Sequence, residues 1–153
     1  MTDKKQKKIE KVVKEFFKKT NFEVNFEVEQ GREQDNAYSV LIETAEPQFL
    51  IGRGGRTLSD LQNLLGRIIR RVLEEPVFIN LDINQYKENK TRYLKEMARG
   101  VADELAIKHQ AKELPPMNGF ERRVIHLALS ERQDVITESR GIGEERRVVV
   151  KPA

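Results

Sequence analysis

The apolar residues at the start of the chain recur first with the period of a helix and then with the period of a strand. Residues 5–19 carry apolar side chains at i, i+3, i+4, i+7 and i+8, which predicts an amphipathic helix with the stripe Ile9, Val12, Val13, Phe16 and Phe17. Residues 22–29 alternate apolar and polar side chains, which predicts a strand with one buried face and one wet, acidic face. A short polar turn leads to a second strand over 37–43, so we expect a hairpin.

Two further helices and a third strand follow. Residues 47–51 are predicted to form a short helix, and Thr57 is a suitable N-cap for the longer helix after it, with Asp60 completing a capping-box pattern. The apolar residues of the longer helix keep a helical period for four turns: Leu58, Leu61, Leu64, Leu65, Ile68, Ile69, Val72 and Leu73. Gly66 inside this run predicts close packing on another element, and residues 77–83 are predicted to form the third strand.

The second half of the chain is predicted to form a separate small α/β unit. Its elements are a helix over 86–109, a break at Leu114-Pro115-Pro116, a helix from Met117 or Asn118 to about Ser130, and strands over 133–138 and 146–150. The inward-facing residues of the shorter helix are expected to be Phe120, Val124, Leu127 and Ala128. A glycine-containing loop, Ser139–Gly143, lies between the strands. We therefore predict an α+β fold with domains at residues 1–83 and 84–153.

Three glycines fall in four positions in the stretch Leu50-Ile51-Gly52-Arg53-Gly54-Gly55-Arg56. Because glycine has no Cβ, such a turn brings backbone N–H groups close to an anion, and the helix after it adds its positive dipole end. The arginines add positive charge, so we predict that this stretch binds a phosphate backbone. A P-loop is excluded because Arg56 stands where that motif has lysine, and a dinucleotide-binding fingerprint is excluded because a helix, not a strand, precedes the glycines.

Charge is distributed unevenly, although the net charge of the 153 residues is only +3. Residues 1–19 hold eight lysines, residues 20–50 hold seven acidic residues against one arginine, and residues 52–71 hold five arginines against one aspartate. This segregation predicts a polyanionic partner that docks on one side. The chain has no cysteine, only two histidines and no paired carboxylates, so we expect no metal site, no cofactor and no catalysis. It has no long apolar run and no secretory signal, so we expect a cytoplasmic protein without membrane insertion.

The order helix, strand, strand, helix, Gly-x-x-Gly, helix, strand over residues 5–83, with Ile51 directly before the glycines, resembles a type II (bacterial) KH domain of αββααβ order. The resemblance implies that the loop clamps the backbone of about four single-stranded nucleotides. The acidic face of the first strand argues against RNA lying across the sheet. We expect the groove between the loop and an apolar sheet edge instead.

The second half contains Arg122-Arg123-Val124-Ile125-His126, with Leu114-Pro115-Pro116-Met117 before it and a Ser139–Val150 segment after it. This pattern is similar to the Arg-x-x-x-His domain, which binds single-stranded nucleic acids. A KH domain followed by an Arg-x-x-x-His domain resembles the bacterial Jag family, also called KhpB, and implies RNA binding and a role in cell-envelope or division control. Many members carry an additional N-terminal domain, whereas this chain starts at the KH helix, so the functions of that domain are not carried over.

The pattern and the resemblance together predict two groups of RNA-binding residues. They are Ile51, Gly52, Arg53, Gly54, Gly55 and Arg56 in the loop, and Arg122, His126, Arg123, Ser139 and Arg140 in the second domain. Arg122 and His126 are spaced i, i+4 and share a helix face, where arginine can bind a phosphate and histidine can donate to a phosphate or stack on a base. The alternative is purely structural: Arg122 pairs with a nearby carboxylate, and His126 is a satisfied surface or boundary histidine. Ser139 and its neighbours form either a backbone N–H nest or a plain turn.

Three alternatives for the partner follow from the same patterns. Single-stranded RNA is the first, but neither motif reads a 2′-hydroxyl on its face, so single-stranded DNA is an alternative. The third is a protein-interaction module. In it the KH surface pairs with a second copy or with a partner KH protein, and the loop binds no nucleic acid.

Overall fold

The computed structural model describes residues 4–153, and the first three residues of the predicted domain 1–83 lie outside the described residues. The chain separates into two compact units, Met1–Lys87 and Glu88–Ala153. The predicted boundary between residues 83 and 84 stays a prediction.

The first unit has the predicted αββααβ order. Its elements are α1 (Lys4–Thr20), β1 (Asn25–Gln30), β2 (Ala37–Glu43), α2 (Pro47–Ile51), α3 (Arg56–Leu73) and β3 (Phe78–Ile83). The sheet order is β1-β2-β3, with β1 antiparallel to β2 and β2 parallel to β3. Since a parallel pair needs a long crossover connection, α2, the glycine loop and α3 together supply it.

Helices α1 and α3 pack on one face of this sheet. The core contains Ile9, Val13, Phe17, Val40, Ile42, Leu58, Leu65, Ile69, Leu81 and Ile83. The opposite face carries exposed Glu27, Glu29 and Glu43 together with half-buried Asp82. This confirms the acidic outer face expected from the alternation in β1.

Strand β1 begins at Asn25, three residues later than predicted. The reason is that β2 ends at Glu43, because the Thr44 backbone is bound by the side chain of Asn84: Thr44 N–H donates to Asn84 Oδ1 at 2.9 Å and Asn84 Nδ2 donates to Thr44 O at 2.9 Å. Residues 22–24 therefore have no partner strand, although Phe22 still packs against the core.

Two predictions about α3 are wrong. Helix α3 begins at Arg56, so Thr57 lies inside it, and the N-cap is Gly55 in the left-handed conformation without a side-chain cap bond. A Cβ on Gly66 would lie 3.2 Å from Nη1 of Arg70, and that nitrogen donates to the carbonyl of Val77 at 3.2 Å. Gly66 thus makes room for an arginine of its own helix rather than for another element.

The second unit is built on three antiparallel strands. Its elements are α4 (Tyr86–Lys108, whose first two residues belong to the first unit), β4 (Lys112–Glu113), α5 (Gly119–Leu129), β5 (Val135–Arg140) and β6 (Arg147–Pro152). Strand β6 is central in the order β4-β6-β5. The core contains Leu94, Ala98, Val101, Leu105, Val124, Ile125, Leu129, Val148 and Val150. Strand β4 was not predicted, because its two charged residues carry no alternating pattern. Among residues 4–153 no helix is both long and apolar enough to cross a membrane.

Helix α5 starts where it was predicted to start, and its N-cap Asn118 forms a capping box with Glu121. Glu121 N–H donates to Asn118 Oδ1 at 2.8 Å, and Asn118 N–H donates to Glu121 Oε2 at 3.0 Å. The prediction that Phe120 and Leu127 face inward is wrong, since both are exposed. The buried face of α5 is centred near Ile125, and both side chains lie more than about 100° around the helix from that centre.

Candidate nucleic-acid interface

The glycine loop is a single tight turn between α2 and α3. Gly52, Gly54 and Gly55 have φ values of +71°, +63° and +79°, a region that other L-residues adopt only at a cost. Gly55 N–H donates to the Gly52 carbonyl at 3.3 Å and closes the turn. The sequence correctly places the turn, and its three glycines are required by the backbone itself.

The three glycines face different surroundings. A Cβ on Gly52 would lie 2.1 Å from Oγ1 of Thr57, and a Cβ on Gly55 would lie 3.1 Å from the Tyr86 ring. A Cβ on Gly54 would have no atom within 4 Å. Gly52 and Gly55 therefore set the shape of the loop, whereas Gly54 presents an open backbone surface that an outside ligand can approach.

We expect Gly52→Ala to lower the free energy of unfolding by about 3 kcal/mol and Gly54→Ala by about 1 kcal/mol, because only the first adds a clash to the backbone strain. Urea denaturation of the full chain measures both. Gly100→Ala is the control, since Gly100 lies in α4 with no atom near its added Cβ and should gain up to about 1 kcal/mol. Equal losses at residues 52 and 54 would contradict the assignment of separate roles.

The remaining predicted loop residues surround this open surface. Arg53 and Arg56 are exposed, and Ile51 is half-buried against the first core. The loop therefore combines an accessible glycine backbone with two guanidinium groups, and the positive end of the 18-residue α3 begins at Arg56. This is the chemistry of a phosphate-binding turn.

The sheet edge on the side of α3 is β3, and its backbone is already bonded. Leu81 N–H donates to Gln62 Oε1 at 3.0 Å, and Lys87 Nζ donates to the same oxygen at 2.9 Å. Burial lowers the pKa of Lys87, and the charge of Asp82 opposes that shift. Side chains from α3 and α4 thus cover this part of the edge. The groove predicted between the loop and a sheet edge stays a prediction.

In the second unit, two arginines converge on one hydroxyl group. Arg122 Nη1 donates to Ser139 Oγ at 2.7 Å, and Arg146 Nε donates to the same atom at 2.9 Å. We call Arg122, Ser139 and Arg146 the Ser139 cluster. Since Ser139 Oγ accepts twice, its own proton is available to donate to a ligand.

The other bonds of the two arginines run to backbone carbonyls. Arg122 Nε donates to Asn118 O at 3.4 Å, and Arg146 Nη1 donates to Gly141 O at 3.3 Å. These neutral acceptors leave both positive charges uncompensated by the bond partners. The geometry therefore favours an anion-binding role for Arg122 over the structural alternative of a carboxylate pair.

His126 lies one turn beyond Arg122 on α5. Its Nδ1 is 2.6 Å from Oγ1 of Thr137, which shares the α5-facing side of β5 with Ser139. Burial, and then the nearby charge of Arg122, lower the pKa of His126. The imidazole is therefore neutral at pH 7 and presents a hydrogen-bonding ring beside the Ser139 cluster.

The structure does not bring Arg123 and Arg140 to this cluster. Arg123 is exposed, and it lies about 100° around the α5 axis from Arg122. Arg140 lies on the opposite face of β5 from Ser139 and pairs with Glu138 at 3.3 Å. Both remain predicted contacts only. Ser139 and Arg140 were expected in the glycine loop, as part of either a nest or a plain turn, but they are the last two residues of β5, so neither form applies to them.

Sequence reasoning missed Arg146 and Thr137. Arg140 pairs with Arg147 across the β5–β6 hairpin, so Arg146 is the first residue beyond the ladder and its side chain reaches back to Ser139. Only the register of the hairpin could have indicated this. Within the described part of the chain, no group of three or more histidine and carboxylate side chains is placed to hold a metal ion.

Comparison with known proteins agrees with this arrangement. The sequence-family model of the KH domain matches residues 7–90, which is more than half of the chain. The family model of the Arg-x-x-x-His domain matches residues 92–152. The chain belongs to the KH domain family. The two domains follow each other in the order predicted from the sequence, which confirms the α+β fold class and the KH and Arg-x-x-x-His domains.

Proteins named RNA-binding protein KhpB are similar over most of the chain. The relative from Clostridium symbiosum is 29% identical over 145 residues, which cover 95% of this chain and 65% of the relative. The relative from Lactiplantibacillus plantarum is 33% identical over 91% of this chain and 41% of its own length, and that from Bacillus subtilis is 30% identical over 67% and 50%. The chain thus spans two thirds or less of the length of these relatives. The matches confirm the resemblance to the Jag (KhpB) family.

Proposed function

We propose that this chain binds single-stranded RNA by its phosphate backbone. The observation that carries the proposal is the open backbone surface at Gly54, flanked by exposed Arg53 and Arg56, in the Gly-x-x-Gly loop of a KH domain. The Ser139 cluster supplies a second phosphate contact in the Arg-x-x-x-His domain, with His126 beside it. The relatives' name supports RNA over DNA as the nucleic acid.

The acidic outer face of the β1-β2-β3 sheet supports a path for the strand that avoids this face. Glu27, Glu29 and Glu43 repel phosphates there. Positive charge that can attract the strand is present at the glycine loop and at the Ser139 cluster. Both sites bind backbone groups, which give affinity and register rather than sequence choice.

A competition titration tests this proposal. Fluorescence anisotropy with a labelled single-stranded RNA should show binding that weakens steeply with salt, because each phosphate contact releases counterions. A DNA oligonucleotide of the same sequence should compete less well than unlabelled RNA. Equal competition would favour the single-stranded DNA alternative, and no binding at low salt would refute the proposal.

We expect binding without chemistry, in line with the relatives' name. His126 is the titratable group at the Ser139 cluster, and its hydrogen-bond partner is the neutral hydroxyl of Thr137 rather than a carboxylate. Acid–base cleavage of a phosphodiester needs a second proton-transfer group. The bound RNA should therefore be recovered intact. The cytoplasmic location stays a prediction.

One observation favours a protein contact in addition to RNA binding. Leu64 and Val72 on α3 are about half exposed, and Leu61 and Ile68 beside them are only half-buried. The apolar stripe of α3 is therefore wider than the face it buries, which supports a second copy or a partner KH protein at this helix. Sedimentation equilibrium of the chain alone distinguishes a monomer from a homodimer.

Binding should strengthen as the pH falls. In the free protein burial and Arg122 lower the pKa of His126, whereas a phosphate bound beside the ring would raise it, so binding takes up a proton. We expect the RNA affinity to rise about threefold to tenfold between roughly pH 7.5 and 5.5, and His126→Gln to remove this rise. Anisotropy titrations across this range, at constant ionic strength, measure it. The same pH profile in both proteins would exclude His126 from the phosphate site.

A further inference from the structure

The turn between β5 and β6 projects an isoleucine into solvent beside the Ser139 cluster. Ile142 is 90% exposed, the highest value among the exposed large hydrophobic side chains of the described residues. Single exposed apolar residues are common on protein surfaces, so exposure alone assigns no role. What distinguishes Ile142 is the way in which its backbone is held.

The turn around Ile142 is rigidly built. Gly141 and Gly143 on either side have φ values of +96° and +62°, and a Cβ on Gly141 would lie 3.0 Å from the Glu145 carbonyl. Glu145 N–H donates to Ile142 O at 3.4 Å, and Arg146 N–H donates to Gly143 O at 3.2 Å. The turn thus fixes the direction in which this side chain projects.

The Ser139 cluster and Ile142 are linked through one guanidinium group. Arg146 Nη1 donates to the Gly141 carbonyl, which belongs to the peptide bond that leads into Ile142, while its Nε donates to Ser139. A phosphate held at the Ser139 cluster therefore lies directly beside Gly141, where the turn begins. The Ile142 residue follows directly on the peptide group that Arg146 holds, which puts it next to a nucleotide bound at the Ser139 cluster.

The charges on the turn decide which part of the nucleotide it meets. Glu144 and Glu145 follow Ile142 and are both exposed, and Glu145 pairs with Arg147 at 3.1 Å. These carboxylates repel phosphates, whereas an uncharged base can approach them. The tip is thus suited to a base, and the Ser139 cluster behind it is suited to the backbone.

We infer that Ile142 is a base-contacting residue of the Arg-x-x-x-His domain, which packs its side chain against a nucleobase of the strand held at the Ser139 cluster. The inference rests on the proposed function and adds a contact that neither the sequence pattern nor the two arginines supply. Apolar side chains inserted beside or between bases are a known mode of nucleic-acid binding.

The test compares two ligands and two variants of the full chain. The ligands are a uridine oligonucleotide and an oligomer of the same length in which stable abasic spacers replace the nucleosides. The variants are Ile142→Ala and Ile107→Ala, because Ile107 is also strongly exposed, at 81%, but lies on α4. Both substitutions remove the same atoms from solvent-exposed positions.

Ile142→Ala should weaken binding of the uridine oligonucleotide about fivefold to tenfold and leave binding of the abasic oligomer unchanged. Ile107→Ala should change neither. Equal weakening for both ligands, or no weakening for either, would overturn the inference while leaving RNA binding intact. A wild-type chain that binds neither ligand would refute the proposed function itself, and the inference with it.

Discussion

Replacing both Arg53 and Gly54 by aspartate should reduce the affinity for single-stranded RNA about a hundredfold or more while the chain stays folded. The double substitution changes the charge of the open surface by about three units at the point where we place the phosphates. Gly54 has no atom within 4 Å of an added Cβ, so an aspartate side chain has room there. Aspartate also tolerates the left-handed conformation better than most residues, so the cost in stability should be about 1 kcal/mol.

The chain offers a closely matched control for this experiment. Arg99 and Gly100 form the same dipeptide on α4, and both are exposed. Replacing them by aspartate makes an identical change in net charge, but in the second unit. We expect this control to weaken binding less than about threefold, as a general electrostatic effect. Equal losses in the two variants would mean that total charge, not the loop, determines affinity. Circular dichroism and thermal unfolding establish that both variants are folded.

The second large effect should come from the Ser139 cluster. Arg122→Ala together with Arg146→Ala should weaken RNA binding about tenfold to a hundredfold. The slope of log affinity against log salt concentration should also fall by the amount that one to two phosphate contacts contribute. Each single substitution leaves one guanidinium group in place. We therefore expect each to cost less than half of the combined free-energy loss, a coupling that a double-mutant cycle measures.

Arg140→Ala is the appropriate control for the cluster. Arg140 is adjacent to Ser139 in the sequence, but it lies on the opposite face of β5 and pairs with Glu138. Its loss should change RNA affinity less than about twofold, because the side chain lies on the other face of β5 from the cluster. The exposed ion pair with Glu138 contributes little to the stability of the fold, so its loss should not unfold the chain. If Arg140→Ala weakened binding as much as Arg122→Ala, the strand would have to pass over the outer face of β5, and our assignment of the site would be wrong.

The features that the sequence predicted well are those with a local cause. The stripe of α1, the short helix before the glycines and the start of α5 at Asn118 depend on residues within one or two turns of each other, and the structure has them where the pattern placed them. The order of the elements and the position of the glycine loop follow from the same local patterns.

The failures have causes that lie outside the local pattern. Thr57 has the chemistry of an N-cap, but the left-handed glycine before Arg56 ends the loop and starts the helix earlier. Leu127 has helical spacing from other apolar residues, yet spacing does not say which face meets the core. Arg146 joins the site through the register of a hairpin, which a single sequence does not specify. One of the three residues of the Ser139 cluster could therefore not be predicted before the strands were paired.

The surroundings of the three glycines also explain the form of the motif that they belong to. The first and last positions, Gly52 and Gly55, are the two where an added Cβ would meet Thr57 or Tyr86 inside the protein itself. The two positions between them, Arg53 and Gly54, face outward. Selection should thus act on the outer glycines through folding and on the middle pair through the ligand. During divergence the middle pair is then free to change with the ligand, whereas the outer glycines are held fixed by the protein's own interior.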